Sequence, residues 1–201
     1  MRFALELVYI QSLFILILYN SFIIILLQLR IRMEHNYSEL QIKFMHKAAA
    51  NALILFVKCN GLHFLVKGYN FQESHLVTEN YYDHFKLVYD WINERLVQLG
   101  EKPVVSLVRA LKLQEIQETS TDIKKVKEVY SILDGDFRVL KNIILNLKEA
   151  SAKAKDYVTE DYCIGQLRFL DKELWFMQSK LFNDLQPTTI VANSDTLCLK
   201  I

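Results

Sequence analysis

Four side chains on one uninterrupted stretch could bind a metal ion: His75, Glu79, Asp90 and Glu94, all between Phe71 and Leu99. Imidazole and carboxylate are the donors that first-row divalent metals accept. No Gly or Pro breaks the stretch and Gly100 follows it, so one long helix is predicted. Asn70 and Glu73 read as a capping pair at its start. With His75 taken as zero, Glu79 falls near about 40°, Asp90 near about 60° and Glu94 near about 100° around the axis. Two pairs spaced i, i+4 therefore share a stripe, which flanks the apolar stripe of Tyr82, Phe85, Tyr89, Ile92 and Leu96. Charge on a long helix is otherwise a solvated face, and these four residues alone leave that reading open.

Helical rise limits the metal reading. His75 and Asp90 lie about 22 Å apart along the axis and cannot hold the same ion within one chain. A shared site needs the same helix from a second subunit, antiparallel about a two-fold axis. Each such site takes His75 and Glu79 from one chain and Asp90 and Glu94 from the other.

The elements that must position this helix are also helical. Before it, from about Ser38 to Lys67, Met45, Ala49, Ala52, Phe56 and Cys59 form a bundle seam. Ser38 and Gln41 read as a capping box at its start. One more step of four reaches His63, and a lone His on a seam is usually a satisfied core residue. Gly68-Tyr69-Asn70 is a turn short enough to make the two helices antiparallel neighbours. The connection from Gly100 to about Thr121 holds a short helix within Val104–Gln117. The third long helix, about Asp122 to Lys153, repeats Val126, Tyr130, Leu133, Phe137, Leu140, Ile144 and Leu147. The fourth, about Tyr157 to Phe182, repeats Cys163, Leu167, Leu170, Leu174, Met177 and Leu181. The fold class predicted is all-α, with an apolar N-terminal extension.

Composition agrees with that class. The chain has 201 residues with 24 Lys and Arg against 23 Asp and Glu, so its charge balance signals no nucleic-acid partner. Five Gly, two Pro and three Cys without a Cys-x-x-Cys leave neither a β-rich fold, a disulfide framework nor a thiolate zinc site. Residues 1–32 stand apart from the domain, 33–182, and from a tail, 183–201, that is expected to be poorly ordered. Leu7–Leu29 carries no charge, and Arg30 and Arg32 follow it. By length it qualifies as a membrane span with its C-terminal side inside. Met33 follows closely and what comes after it starts like an ordinary domain, so an over-extended gene start is the first reading of residues 1–32, a membrane anchor the second and a helix packed in some other way the third.

The run Leu62-His63-Phe64-Leu65-Val66-Lys67-Gly68-Tyr69-Asn70-Phe71, followed by His75, Glu79, Asp90, Glu94-Arg95 and Leu99-Gly100, resembles the Dps family of mini-ferritins. Lys172-Glu173-Leu174-Trp175 is similar to a tryptophan motif on that family's last helix, so the resemblance runs from about Met33 to Phe182. It implies a ferritin-like four-helix bundle with a short helix in the long connection between helices 2 and 3, assembled as a homo-dodecameric shell. It also implies a ferroxidase site at the two-fold interface. There His63 and His75 supply imidazoles to Fe(II), and Asp90, Glu94 and Glu79 supply carboxylates. The implied activity is oxidation of Fe(II) to Fe(III), preferably by hydrogen peroxide, with storage of the product and protection of DNA. The implied compartment is the bacterial cytoplasm, with membrane association if residues 1–32 are translated.

Asp156 and Asp161 look like acids of the family's three-fold pore, whose next position is Gly165, with Glu160 nearby. Phe64 stands where the family usually has Trp, and Trp91, beside Asp90, is the candidate substitute. Few basic residues lie in Met33–Lys47 or in the last nineteen positions, so direct DNA binding is expected to be weak or absent. Classical ferritins build their centre from Glu-x-x-His motifs, and this chain has none. The competing reading is a non-enzymatic helical bundle that compacts DNA or is anchored to a membrane.

Overall fold

The computed structural model describes residues 14–25 and 38–182. Residues 14–25 form α1, an apolar helix whose side chains are all exposed. The domain consists of α2 (Glu39–Leu65), β1 (Val66–Lys67), α3 (Phe71–Gln98), α4 (Leu107–Leu113), β2 (Lys124–Lys125), α5 (Val126–Ala154) and α6 (Tyr157–Phe182). The tail, 183–201, lies outside the described residues, as do 1–13 and 26–37 of the N-terminal region.

The four long helices make the bundle, with α2 against α3, α5 against α6, and α2 also against α5. The predicted seams are the core. Met45, Leu55, Cys59 and Leu62 of α2 meet Phe85, Ile92 and Leu96 of α3, Leu133 and Phe137 of α5, and Cys163 and Met177 of α6. Burying each large side chain stabilises the fold by about 1.5–3 kcal/mol. Ala48, Ala49, Ala50 and Ala52 are also fully buried, and their small size lets neighbouring helices approach α2 closely. By length and hydropathy α2 could cross a membrane, but 61% of its most apolar window is buried inside the domain, so it is a core helix.

Three local expectations are corrected. Asn70 gives α3 no side-chain cap, because it adopts a left-handed conformation (φ 62°); Glu73 instead pairs with Lys180 of α6. The apolar stripe of α3 is rotated slightly, with Tyr81 and Val88 buried and Tyr82 and Tyr89 only half-buried. Ser38 does accept the Gln41 N–H at 3.1 Å, but the Gln41 side chain turns away to Asp156. The helical reading also missed a parallel two-residue ladder, Val66 against Lys124 and Lys67 against Lys125. That ladder delays the start of α5 to Val126.

The connection is held by polar side chains of α2. Asn51 Oδ1 accepts the Glu115 and Ile116 N–H groups at 2.8 and 2.9 Å. Lys58 Nζ donates to Gln117 O at 2.8 Å and pairs with Asp136 of α5 at 2.6 Å. From α3, Tyr89 donates its hydroxyl to Val104 O at 2.7 Å. Backbone groups between α3 and α5 that would otherwise lack partners are satisfied in this way.

Candidate metal centre

His63 lies in the last turn of α2 and His75 at the start of the second turn of α3. The turn between them brings the two together, and Gly68 (φ 115°) and Asn70 (φ 62°) give it the positive dihedrals it needs. The imidazoles stack with centroids 3.5 Å apart and planes 22° apart. Each Nδ1 lies 2.9 Å from the other residue's backbone oxygen. A carbonyl oxygen only accepts, so each Nδ1 carries the proton and donates. In the neutral ring Nε2 then keeps its lone pair. Hydrogen bonding of one ring nitrogen to a backbone carbonyl is the arrangement that orients a metal-binding His through the other. His63, which reads from the seam alone as a core residue, is therefore half-buried and paired with His75.

Glu79 follows on the same face of α3, and Tyr82 Oη donates to its Oε1 at 3.5 Å. Asp90 and Glu94 are exposed further along α3. Among the described residues of one chain, no three His, Cys, Asp or Glu side chains converge on a metal-sized space. The two halves of the candidate donor set lie about 22 Å apart along α3.

Arg95, next to Glu94, fixes the end of α3. Its Nη2 pairs with Asp156 Oδ1 at 2.7 Å, and its Nε donates to Thr159 Oγ1 at 3.1 Å. Asp156 is buried. It also accepts from Gln41 Nε2 at 2.6 Å, Thr159 Oγ1 at 2.6 Å and Thr159 N at 3.2 Å, so it caps α6. Burial pushes its carboxyl upward, but the Thr159 hydrogen bonds and the Arg95 charge outweigh this and hold it below the usual range. Within the chain, Asp156 is thus spent on a cap and an ion pair, and it presents no free carboxylate to a pore. Asp161 is exposed, Glu160 half-buried and Gly165 exposed with open space where a Cβ would stand.

Asp156→Asn is expected to lower stability at neutral pH by about 1–3 kcal/mol. A depressed folded pKa stabilises above the unfolded value of about 3.9, and that contribution fades as pH falls through the folded pKa. Urea unfolding near neutrality and near about pH 3 checks this, the gap between variant and native protein narrowing in acid.

Trp91, and the His84 and cysteine side chains within the bundle, are packing residues. His84 stacks on Phe169 at 3.6 Å and bonds Gln166 at 3.0 Å, and burial lowers its pKa. Trp91 stacks on Tyr162 at 3.5 Å with planes 5° apart, so its ring faces α6 rather than the exposed Asp90. Cys59 and Cys163 are buried thiols; burial raises both, Cys163 to about 12.

Known proteins resemble this chain in sequence and fold. The ferritin-like domain family matches residues 42–185. The DNA protection during starvation protein of Helicobacter pylori is 33% identical over 132 residues, which cover 66% of this chain and 92% of that protein. The protein of the same name from Listeria monocytogenes is 26% identical over 140 residues, 69% of this chain and 90% of that one. Among solved structures, Dps from Staphylococcus aureus superposes with a TM-score of 0.69 at 27% identity, covering 73% of this chain and 97% of that one. A bundle of this order, with a short helix in its long connection and its sequence similarity extending across nearly the whole of these relatives, leaves one assignment: the chain belongs to the ferritin-like family and, within it, to the Dps proteins.

Proposed function

We propose that the protein binds Fe(II) at sites shared between two subunits, oxidises it with hydrogen peroxide and stores Fe(III) inside a dodecameric shell, limiting oxidative damage to DNA. One observation supports this reading most directly. Two stacked imidazoles are each tied by Nδ1 to the other's backbone, which leaves each Nε2 its lone pair, and Glu79 follows His75 by one turn of α3.

In this proposal His63 and His75 of one subunit, with Glu79, face Asp90 and Glu94 of its two-fold partner. Imidazole suits Fe(II). The carboxylates offset the charge that grows on oxidation to Fe(III). The balanced reaction consumes one peroxide per two Fe(II) and yields two hydroxide ions, so hydroxyl radical does not accumulate. Asp161 is the acid of the proposed pore whose side chain is exposed. The relatives are bacterial, and the proposed compartment is the cytoplasm.

The test is Fe(II) oxidation by peroxide, followed by absorbance, on the full chain and on a chain begun at Met33. Fast oxidation by both is expected; a soluble, assembled shell that oxidises no Fe(II) would refute the proposal. Direct DNA binding is expected to be weak. A gel shift by the assembled protein that disappears with added salt would contradict that expectation.

A further inference from the structure

We propose that the pocket between the α2–α3 turn, the start of α5 and the end of α6 binds a nucleoside polyphosphate, independently of the iron chemistry proposed above. The pocket has a volume of about 660 Å³. Small-ligand sites span roughly 300–1,000 Å³. Lys67, Lys125, Lys127 and Lys180 line it, with Tyr69 and Asn70 of the turn, and among the described residues no Asp or Glu side chain does. An ammonium is a compact point charge suited to phosphate.

The β1–β2 ladder sets two of these lysines. Its parallel register places Lys67 directly against Lys125, and both are exposed. Like charges directly opposite in a ladder repel. The fold keeps them together, and an anion between the two ammonium groups turns that repulsion into two attractions. Two nearby acids are already engaged: Glu128 Oε2 accepts the Lys125 N–H at 2.7 Å, and Glu73 pairs with Lys180. The 29-residue helix α5 starts at Val126 in the same wall, and the positive end of its dipole adds to the potential.

Tyr69 points to what the anion carries. It is 91% exposed and lines the same pocket, so its ring is available to stack on a base. Phosphates held by lysines and a base held by an aromatic ring together describe a nucleotide. Lysines gathered in one hollow suit a compact anion better than the extended backbone of duplex DNA.

The experiment titrates the assembled full chain, free of iron, with ATP and with inorganic tripolyphosphate by isothermal calorimetry. Saturable ATP binding that weakens with added salt is expected, with weaker binding of tripolyphosphate. Lys67→Gln with Lys125→Gln should weaken ATP binding by at least about tenfold. Without ligand, that variant should unfold at no lower denaturant concentration than the native protein, because a repulsion has been removed. Lys67→Arg with Lys125→Arg should retain binding. Lys112→Gln with Lys153→Gln, an equal charge loss at exposed positions elsewhere, should leave it unchanged. Tyr69→Ala should weaken ATP but not tripolyphosphate. No saturable binding of either anion, or equal weakening by the two Lys→Gln pairs, would overturn the proposal. Equal affinity for the two anions, indifferent to Tyr69→Ala, would overturn the nucleoside assignment. Because iron is absent throughout, neither result bears on the ferroxidase reading.

Discussion

His63→Ala should slow peroxide-driven Fe(II) oxidation by at least about 100-fold, the upper end of what even outer-sphere partners of a metal site contribute. The substitution removes one free Nε2 and the ring stacked on His75. It leaves the backbone oxygen of residue 63, which is the acceptor for His75 Nδ1. His75 should therefore keep its orientation, and the loss should report the missing ligand. Half-buried at the end of α2, position 63 should tolerate alanine with a stability change of about 1 kcal/mol or less. Stopped-flow absorbance with an unfolding curve on the same sample separates the two effects. Native oxidation rates in the variant would remove His63 from the site.

Lys58→Met should cost about 3–5 kcal/mol of stability, because it strands Asp136 in the bundle without its cation. The pair is 2.6 Å long, with side-chain exposures of 7% and 13%. The same ammonium holds Gln117 O, so the connection after α4 should loosen as well. Replacing both partners, Lys58→Met with Asp136→Leu, should recover most of the loss, since an apolar pair carries no desolvation penalty.

The pH dependence follows from the direction of the Asp136 shift. Burial raises its carboxyl, and Lys58 pulls it back. Without Lys58 it rises further, and the folded state binds a proton that the unfolded state has released. Stability of Lys58→Met should then fall as pH rises from the unfolded value of about 3.9 through the raised folded value. The penalty should be smaller near about pH 5 than near neutrality. Denaturant unfolding at both pH values measures it, and an equal penalty at the two would contradict the account.

The bundle was legible in the sequence because it rests on helical periodicity, whereas the donor set, His63 above all, was singled out only by the family resemblance. Leu133, Phe137, Leu140, Ile144 and Leu147 repeat in four and three and are all buried. His75, Glu79, Asp90 and Glu94 share a stripe because α3 runs unbroken from Phe71 to Gln98. What periodicity cannot carry is long-range polar satisfaction. Asn51 serves N–H groups more than sixty positions away, and Lys58 serves a carbonyl at a similar distance. Asp156 resembles an acid of the family's pore, and its role as a cap and ion-pair partner is not readable from the sequence because Gln41 and Arg95 come from other helices. Asn70 has the composition of a cap but sits at a left-handed corner, where the turn geometry outweighs capping preference. The β1–β2 ladder is two residues long and carries no alternating pattern to read. The reciprocal bonds of His63 and His75 are likewise a product of the turn.

The central claim is that each iron site takes its imidazoles from one chain and its far carboxylates from another. Mixed assembly tests it most directly. One variant carries His63→Ala with His75→Ala; the other carries Asp90→Asn with Glu94→Gln. Each assembled alone should fail to oxidise Fe(II) with peroxide. Dissociated and reassembled together in equal amounts, they should recover about a quarter of the native rate, because random pairing makes about half the two-fold pairs mixed and each mixed pair holds one complete site of two. No recovery in mixed shells of normal size, or full activity in either variant alone, would contradict the shared site.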